Sequence, residues 1–163
     1  MSELGQLSRR LELLEAERGV LRTLHAYGHA TDRGDVDAFA DCFTVDGVCD
    51  VQDPARGSVE RSVEGRAALQ ELMRGFARPP ESRHRHLLIE PVINVQSDLA
   101  GATAVSYFAV LRERDGVPFL WAFGRYIDEL VCETDGVWRL RRRTAALDSV
   151  DASMPPLAEG TPR

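Results

Sequence analysis

Two short stretches of the sequence hold residues suited to proton transfer. The first is YGHATDRGD, Tyr27 to Asp35, in which Asp32 falls in the last turn of an amphipathic helix. Aspartate is a weak helix former, and a carboxylate at this end faces the negative pole of the helix dipole, at a cost of about 0.3–1 kcal/mol. Asp32 is therefore expected either to act chemically or to pair at the surface with Arg33 or a neighbouring loop.

Helical spacing places four residues of this region on one side. His25, Gly28, His29 and Asp32 recur at i, i+3, i+4 and i+7, whereas Tyr27 lies about 140° from Asp32 around the helix axis. Tyr27 and Asp32 are thus expected to flank a pocket without both pointing into its centre. Glycine at position 28 would let a sheet or a ligand approach the helix closely.

The second stretch, RHLLIEPVINVQ, is predicted to be a strand with two useful faces. Its first face mixes apolar and polar groups as ligand pockets do, although a buried histidine without function is the alternative for His86. Its second face is entirely apolar, which predicts a homo-oligomer, with a dimer favoured. Strict alternation assigns His86, Leu88, Glu90, Val92 and Asn94 to the first face, and Leu87, Ile89, Ile93 and Val95 to the second.

Two histidine patterns have spacings found in metal sites, but neither supplies a complete set of ligands. His25-x-x-x-His29 is a helical ligand spacing, and His84-x-His86-x-x-x-Glu90 resembles part of the first cupin motif. The later cupin histidine is missing, because no histidine follows His86. We therefore predict no metal and no cofactor.

Composition and charge narrow the class of protein. With 163 residues, of which 44% are hydrophobic, the chain fits a single domain, residues 1–147, followed by a mobile tail rich in proline and glycine, residues 148–163. A net charge of −6 argues against binding to nucleic acid or to anionic membranes. The one basic run, RLRRRT from Arg139 to Thr144, is interpreted as the solvated face of a strand.

The cysteines and the first residues indicate a compartment. Cys42, Cys49 and Cys132 are odd in number and match no zinc or CxxC spacing, so free thiols are expected rather than a disulfide framework. The first residues carry charges throughout, and no apolar stretch is long enough to span a membrane. We predict a cytoplasmic protein.

The elements that must position these residues follow from periodicity and turn chemistry. A helix is predicted over Leu11–Thr31, ended by Gly34, then a short helix VDAFADCF capped by Asp35. The segment VDGVCDV is predicted to be a strand, and residues 64–77 a third helix stopped by two prolines. Four long strands follow, joined by SDLAG, RDG and TDG turns. Helices followed by an antiparallel meander define an α+β fold.

Taken together, these segments resemble one known family. The stretches YGHATDRGDVDAFADCFTVDGVCDV, RHRHLLIEPVINV, GATAVSYF, FGRYIDEL and GVWRLRRR, in this order, are similar to the SnoaL-like group of the NTF2-like superfamily over roughly residues 11–148. The resemblance implies an NTF2-like cone, in which a curved antiparallel sheet wraps around a long N-terminal helix and leaves a deep pocket. Members of this kind include scytalone dehydratase, ketosteroid isomerase, polyketide cyclases and the catalytically silent β subunits of ring-hydroxylating dioxygenases.

The resemblance also implies site residues. Tyr27 and Asp32 match the tyrosine and aspartate of the first-helix motif, and His86 matches the strand histidine that enters the pocket. In such a pocket, desolvation and the helix end are expected to raise the pKa of Asp32, making it a better base, with His86 holding or receiving the proton. Tyr107, with Ser106 as an alternative, is expected to replace a second strand histidine. Side chains expected to bind substrate are His29, Leu88, Glu90, Trp121 and Phe123.

The function expected on these grounds is a cofactor-independent dehydratase, isomerase or cyclase. Its substrate would be a hydrophobic, oxygenated small molecule, in bacterial secondary metabolism. The alternative is a non-catalytic ligand-binding protein or an accessory β-type subunit of a ring-hydroxylating oxygenase. The acid–base residues favour the enzyme, because an accessory subunit does not need them.

Overall fold

The computed structural model describes residues 2–52, 58–76 and 84–151. Helix α1 spans Glu3–Arg33, so it begins eight residues before the predicted start. The Ser2 hydroxyl accepts a hydrogen bond from the Gly5 amide, which caps the first turn. Gly34 ends the helix in the left-handed conformation, with φ of 65°, as its sequence position predicts. No helix among the described residues is both long and apolar enough to cross a membrane.

Two shorter helices accompany α1 in the described part of the chain. Helix α2, Val36–Asp41, follows immediately because the Asp35 carboxylate accepts a hydrogen bond from the Ala38 amide. Helix α3 spans Arg66–Gly75, within the predicted range of 64–77. The predicted stop at Pro79 and Pro80 lies outside the described residues.

Within the described residues, six strands form one curved, open sheet in the order β2-β1-β6-β5-β4-β3. All neighbouring strands are antiparallel except β1 and β6, which run parallel. The four long strands confirm the predicted meander, whereas β2 was not predicted. The strands are β1 Phe43–Gln52, β2 Val59–Glu64, β3 His84–Val95, β4 Gly101–Arg114, β5 Val117–Cys132 and β6 Trp138–Val150.

A bulge in β3 changes which residues face the helices. Ile89 pairs with Tyr107 and Val92 pairs with Val105, so two residues of β3, Glu90 and Pro91, lie opposite one residue of β4. Glu90 has a positive φ of 50°. The extra residue reverses the alternation beyond this point. The prediction for the second half of β3 was therefore wrong: Ile93 and Val95 pack against the core, and Val92 and Asn94 are exposed.

The last strand extends past the predicted domain end. β6 includes Asp148, Ser149 and Val150, and the Asp151 amide donates a hydrogen bond to the Trp121 carbonyl. The rest of the predicted tail, residues 152–163, lies outside the described residues. All three cysteines are free thiols, as predicted.

Candidate active site

A cavity of about 190 Å³ lies between the helices and the concave face of the sheet. Its wall is mostly apolar, and aromatic rings from α1, α2, β4 and β5 contribute much of it. The polar side chains in the wall are few and include His84 and His86 of β3, Arg61 of β2 and Arg112 of β4. This mixture is typical of a small-molecule site. The aromatic members are Tyr27, Phe39, Phe76, Phe108, Trp121 and Tyr126.

Asp32 and His86 form a hydrogen-bonded pair at the edge of this cavity. Asp32 Oδ1 lies 2.7 Å from His86 Nδ1, and both carboxylate oxygens accept the His86 backbone N–H, at 3.0 and 3.2 Å. The Asp32 side chain is 10% exposed and is not part of the cavity wall, whereas His86 is. A carboxylate only accepts, so the ring donates from Nδ1, and in the neutral form of the ring Nε2 keeps its lone pair.

The pKa of Asp32 is lowered, which corrects the prediction that it is raised. Burial alone would raise it, but the hydrogen bonds and charge of His86, together with the charge of His84, outweigh burial. Asp32 therefore remains ionised and is a poor base at neutral pH. Its position suits a group that orients His86 and stabilises the imidazolium.

His84 is a second histidine beside this pair. Its ring is almost fully buried, lies edge-on to the His86 ring at 5.4 Å between centroids, and has Nε2 at 3.8 Å from Asp32 Oδ1. His84 and His86 face the same way because they are two residues apart in a strand. The sequence prediction did not use His84 as a second site histidine, although its spacing from His86 carries that signal.

The floor of the site is built on a buried ion pair. Arg143 and Asp128 are fully buried and joined by two hydrogen bonds of 2.7 and 2.8 Å. The guanidinium lies between the rings of Tyr27 and Tyr126, 4.1 Å from each centroid. Burial raises the pKa of both tyrosines, so both stay protonated hydroxyl donors. The interpretation of residues 139–144 as a solvated face was therefore wrong at Arg143.

Sequence reasoning missed Tyr126, Asp128 and Arg143. The alternation of β5 carries the signal for the first two, since Tyr126 and Asp128 share the inward face with Leu130. No comparable signal marks Arg143. In β6, Leu140 pairs with Leu130 and Arg142 pairs with Glu129, so Arg141 is an extra residue that forms a bulge. The bulge shifts the alternation by one residue and turns Arg143 inward.

The structure brings some predicted site residues together and excludes others. Tyr27, His86 and Trp121 line the cavity, and Asp32 lies outside its wall and forms a hydrogen bond with His86. Leu88 packs against the core but is not part of the cavity wall.

Four other predicted residues lie away from the cavity, which corrects their assignment. Tyr107 and Phe123 are 54% and 43% exposed on the outer face of the sheet, because their neighbours Phe108 and Ala122 face inward. Glu90 is exposed at the β3 bulge, and His29 is exposed on α1. Ser106, the alternative to Tyr107, is buried but does not line the cavity.

One group of described residues has a donor set that could hold a metal. Asp32, His84 and His86 each offer one ligand atom, all within 4.8 Å of one another. Ligands that share one ion at about 2.0–2.2 Å in tetrahedral geometry lie more than 3 Å apart. The 2.7 Å contact between Asp32 and His86 is instead the length of a hydrogen bond. That the protein needs no metal stays a prediction, which elemental analysis of chelator-free protein tests.

The fold agrees with the result of comparison against known families. The SnoaL-like domain family matches residues 12–144, most of the chain. The protein belongs to this family. No protein of curated function matches the sequence.

Solved structures show the same NTF2-like fold. An NTF2-like protein with a cystatin-like fold from Novosphingobium aromaticivorans is 25% identical, with a TM-score of 0.76 over 94% of this chain and 95% of the other. The β subunit of a candidate aromatic-ring-hydroxylating dioxygenase from the same species is 20% identical (TM-score 0.70, 96% and 99% covered). A candidate scytalone dehydratase from that species is 18% identical (TM-score 0.70, 93% and 98%). The last two likenesses show the fold alone.

Proposed function

We propose that this protein is a cofactor-independent acid–base enzyme, a dehydratase, isomerase or cyclase, that acts on a hydrophobic, oxygenated small molecule. The observation that carries the proposal is the hydrogen bond of 2.7 Å between Asp32 and His86 at the wall of an apolar cavity. In the neutral ring, this arrangement makes His86 Nε2 the proton acceptor, and it supports the imidazolium once a proton is taken.

The proposed reaction begins with proton transfer from carbon. His86 Nε2 removes a proton from a carbon next to a carbonyl group, and the electron pair moves to the carbonyl oxygen as an enolate. The ionised Asp32 stabilises the imidazolium that forms. The hydroxyls of Tyr27 and Tyr126 are the proposed donors to the enolate oxygen, because burial keeps both protonated in the cavity wall.

The same enolate leads to each of the three reactions. Loss of a β-hydroxyl group, with the imidazolium proton leaving as part of water, is dehydration. Return of the proton at a different carbon is isomerisation. Attack of the enolate carbon on a second carbonyl closes a ring, and the imidazolium proton passes to the alkoxide that forms. The dyad supports this chemistry in general and does not choose among its outcomes.

Deuterium exchange tests the first step without the natural substrate. The probe is 2-tetralone, a small bicyclic ketone, incubated with the protein in D₂O while NMR follows loss of its α-proton signal. The parent protein is expected to accelerate exchange over buffer. His86→Gln should return the rate to the buffer level, because a positioned general base contributes about 10²–10⁴-fold.

A variant on the opposite face of the sheet provides the control. Tyr107→Phe changes an exposed outer residue and should leave exchange unchanged. If the parent binds 2-tetralone but exchanges no faster than buffer, the protein is a binding or accessory member of the family and the proposal is wrong. Equal exchange by the parent and a folded His86→Gln variant would also overturn it.

A further inference from the structure

The cavity wall has a charge that contrasts with the rest of the chain. The chain has 26 acidic and 20 basic residues, excluding histidine. Among the described residues that line the cavity, however, the charged or titratable side chains other than tyrosine and cysteine are Arg61, His84, His86 and Arg112, with no aspartate or glutamate. A basic wall in an acidic protein favours an anionic ligand.

Arg112 is the better placed of the two arginines. Its guanidinium carbon lies over the Trp121 indole ring, 5.0 Å from the ring centre, so the group is in contact with another residue of the cavity wall. Burial and the charge of Arg114 lower the pKa of Arg112, and a bound anion would oppose both effects. The indole N–H of Trp121 is also buried and has no acceptor among the described residues.

The strand register relates this arginine to the proposed base. Arg112 of β4 pairs with His84 of β3, and His86 lies two residues further along the same strand on the same face. Two residues of a strand span about 6.6 Å. A small molecule held at Arg112 can therefore place one of its carbon atoms next to His86.

We propose that the substrate is a hydrophobic carboxylate whose carboxylate group binds Arg112, while its apolar body fills the aromatic cavity. Arg61, on β2 at the far edge of the sheet, adds a second positive charge to the cavity wall. A planar guanidinium binds a carboxylate through two parallel hydrogen bonds. That the ligand is a substrate rests on the proposed function, but the predicted binding of a carboxylate needs no turnover.

A pair of nearly isosteric probes separates charge from shape. Isothermal titration with 2-naphthoate and with 2-naphthamide compares the same ring system with and without a negative charge. The parent should bind naphthoate about tenfold or more tightly than naphthamide, since hydrogen bonds to charged groups are the stronger ones. Arg112→Met should weaken naphthoate binding by about the same factor and change naphthamide binding little.

Arg114→Met is the matched control, because Arg114 lies on the same strand and stacks on Phe119 at 5.1 Å without lining the cavity. It should leave the preference for the acid intact, and circular dichroism should show all variants folded. The inference is overturned if the parent does not bind naphthoate at millimolar concentration or binds both probes equally. It is also overturned if Arg112→Met weakens both probes alike, or if Arg114→Met removes the preference. A preference that depends on Arg112 without deuterium exchange would keep the inference and reject the proposed reaction.

Discussion

Asp32 and Tyr27 differ in their position relative to the cavity, and this decides what each can do. Tyr27 lines the cavity, whereas Asp32 contacts the Nδ1 side of the ring and the backbone of His86. Their separation around the helix, expected from sequence, is what allows one helix to supply both a donor to the ligand and a support to the base. The helix dipole disfavours the Asp32 carboxylate, but the hydrogen bonds and charge of His86 stabilise its ionised form more strongly, since its pKa is lowered.

The lowered pKa of Asp32 predicts how stability depends on pH. A carboxylate whose pKa is lower in the folded than in the unfolded state stabilises the fold above its unfolded pKa, about 3.9. This contribution is lost as pH falls through the folded pKa. Asp32→Asn should therefore lower the free energy of unfolding by about 1–2 kcal/mol at pH 7, and the difference from the parent should shrink below about pH 4. Urea denaturation over a pH series measures it.

The control is Asp46→Asn, which changes an exposed aspartate of β1. It should leave the free energy of unfolding within about 0.5 kcal/mol of the parent value at neutral pH. An Asp32→Asn variant that is as stable as the parent at pH 7, or more stable, would contradict the lowered pKa. A variant more stable than the parent would indicate a raised pKa of Asp32, as expected of a base.

At the scale of elements, α1 approaches the sheet differently at two of its glycines. A Cβ atom on Gly28 would lie 3.6 Å from the His86 carbonyl oxygen, an ordinary contact. A Cβ atom on Gly19 would lie only 2.5 Å from the Trp138 ring. The Thr23 hydroxyl also donates to the Trp138 carbonyl at 2.5 Å. The close crossing of α1 with the sheet is therefore at Gly19, not at Gly28 as the sequence suggested.

These distances predict opposite effects for the same substitution. Gly28→Ala should raise the free energy of unfolding by about 0.5–1 kcal/mol, because alanine favours the helix and the added methyl group has room. Gly19→Ala should lower it by about 1–3 kcal/mol, because Trp138 must move. Thermal and urea unfolding of the two variants measures both. A destabilised Gly28→Ala, or a neutral Gly19→Ala, would show that the crossing is placed wrongly.

Bulges explain most of what the sequence did not reveal about the strands. The number and order of the long strands follow from alternation and turn chemistry, and the caps of α1 and α2 follow from Gly34 and Asp35. The inward face of each strand does not follow from alternation alone, because one extra residue at Glu90 or Arg141 reverses it. Pro91 is a sequence sign of an edge strand or a bulge, whereas the residues around Arg141 carry no such sign. His86 precedes its bulge and was placed correctly, whereas Arg143 follows its bulge and was not.

At the scale of the whole molecule, the outer face of β3, β4 and β5 is an exposed apolar surface. Large apolar side chains from three adjacent strands lie together there, and monomeric proteins rarely leave such a patch open to water. The two residues wrongly assigned to the cavity, Tyr107 and Phe123, belong to this surface. Its members, each at least 38% exposed, are Leu87, Ile89, Val92, Val105, Tyr107, Leu120, Phe123 and Ile127.

This surface carries the prediction of a homodimer. Light scattering at micromolar concentration should give twice the chain mass of 18.1 kDa, about 36 kDa. Ile89→Glu, which introduces a charge on this surface, should shift the mass toward 18.1 kDa. Val45→Glu, at an exposed position of β1, should leave the mass unchanged. A parent mass near 18.1 kDa, or insensitivity to Ile89→Glu, would contradict the prediction.

The account depends most on the claim that Asp32 holds His86 with a proton on Nδ1 and a free Nε2. Nitrogen-15 NMR of the histidine rings in labelled protein, at a pH where the neutral form dominates, tests it directly. We predict that the His86 Nδ1 signal is that of a protonated ring nitrogen, that Nε2 is unprotonated, and that Asp32→Asn shifts the ring toward a mixture of tautomers. A His86 ring protonated on Nε2 in the parent, or a tautomer unchanged by Asp32→Asn, would contradict the claim.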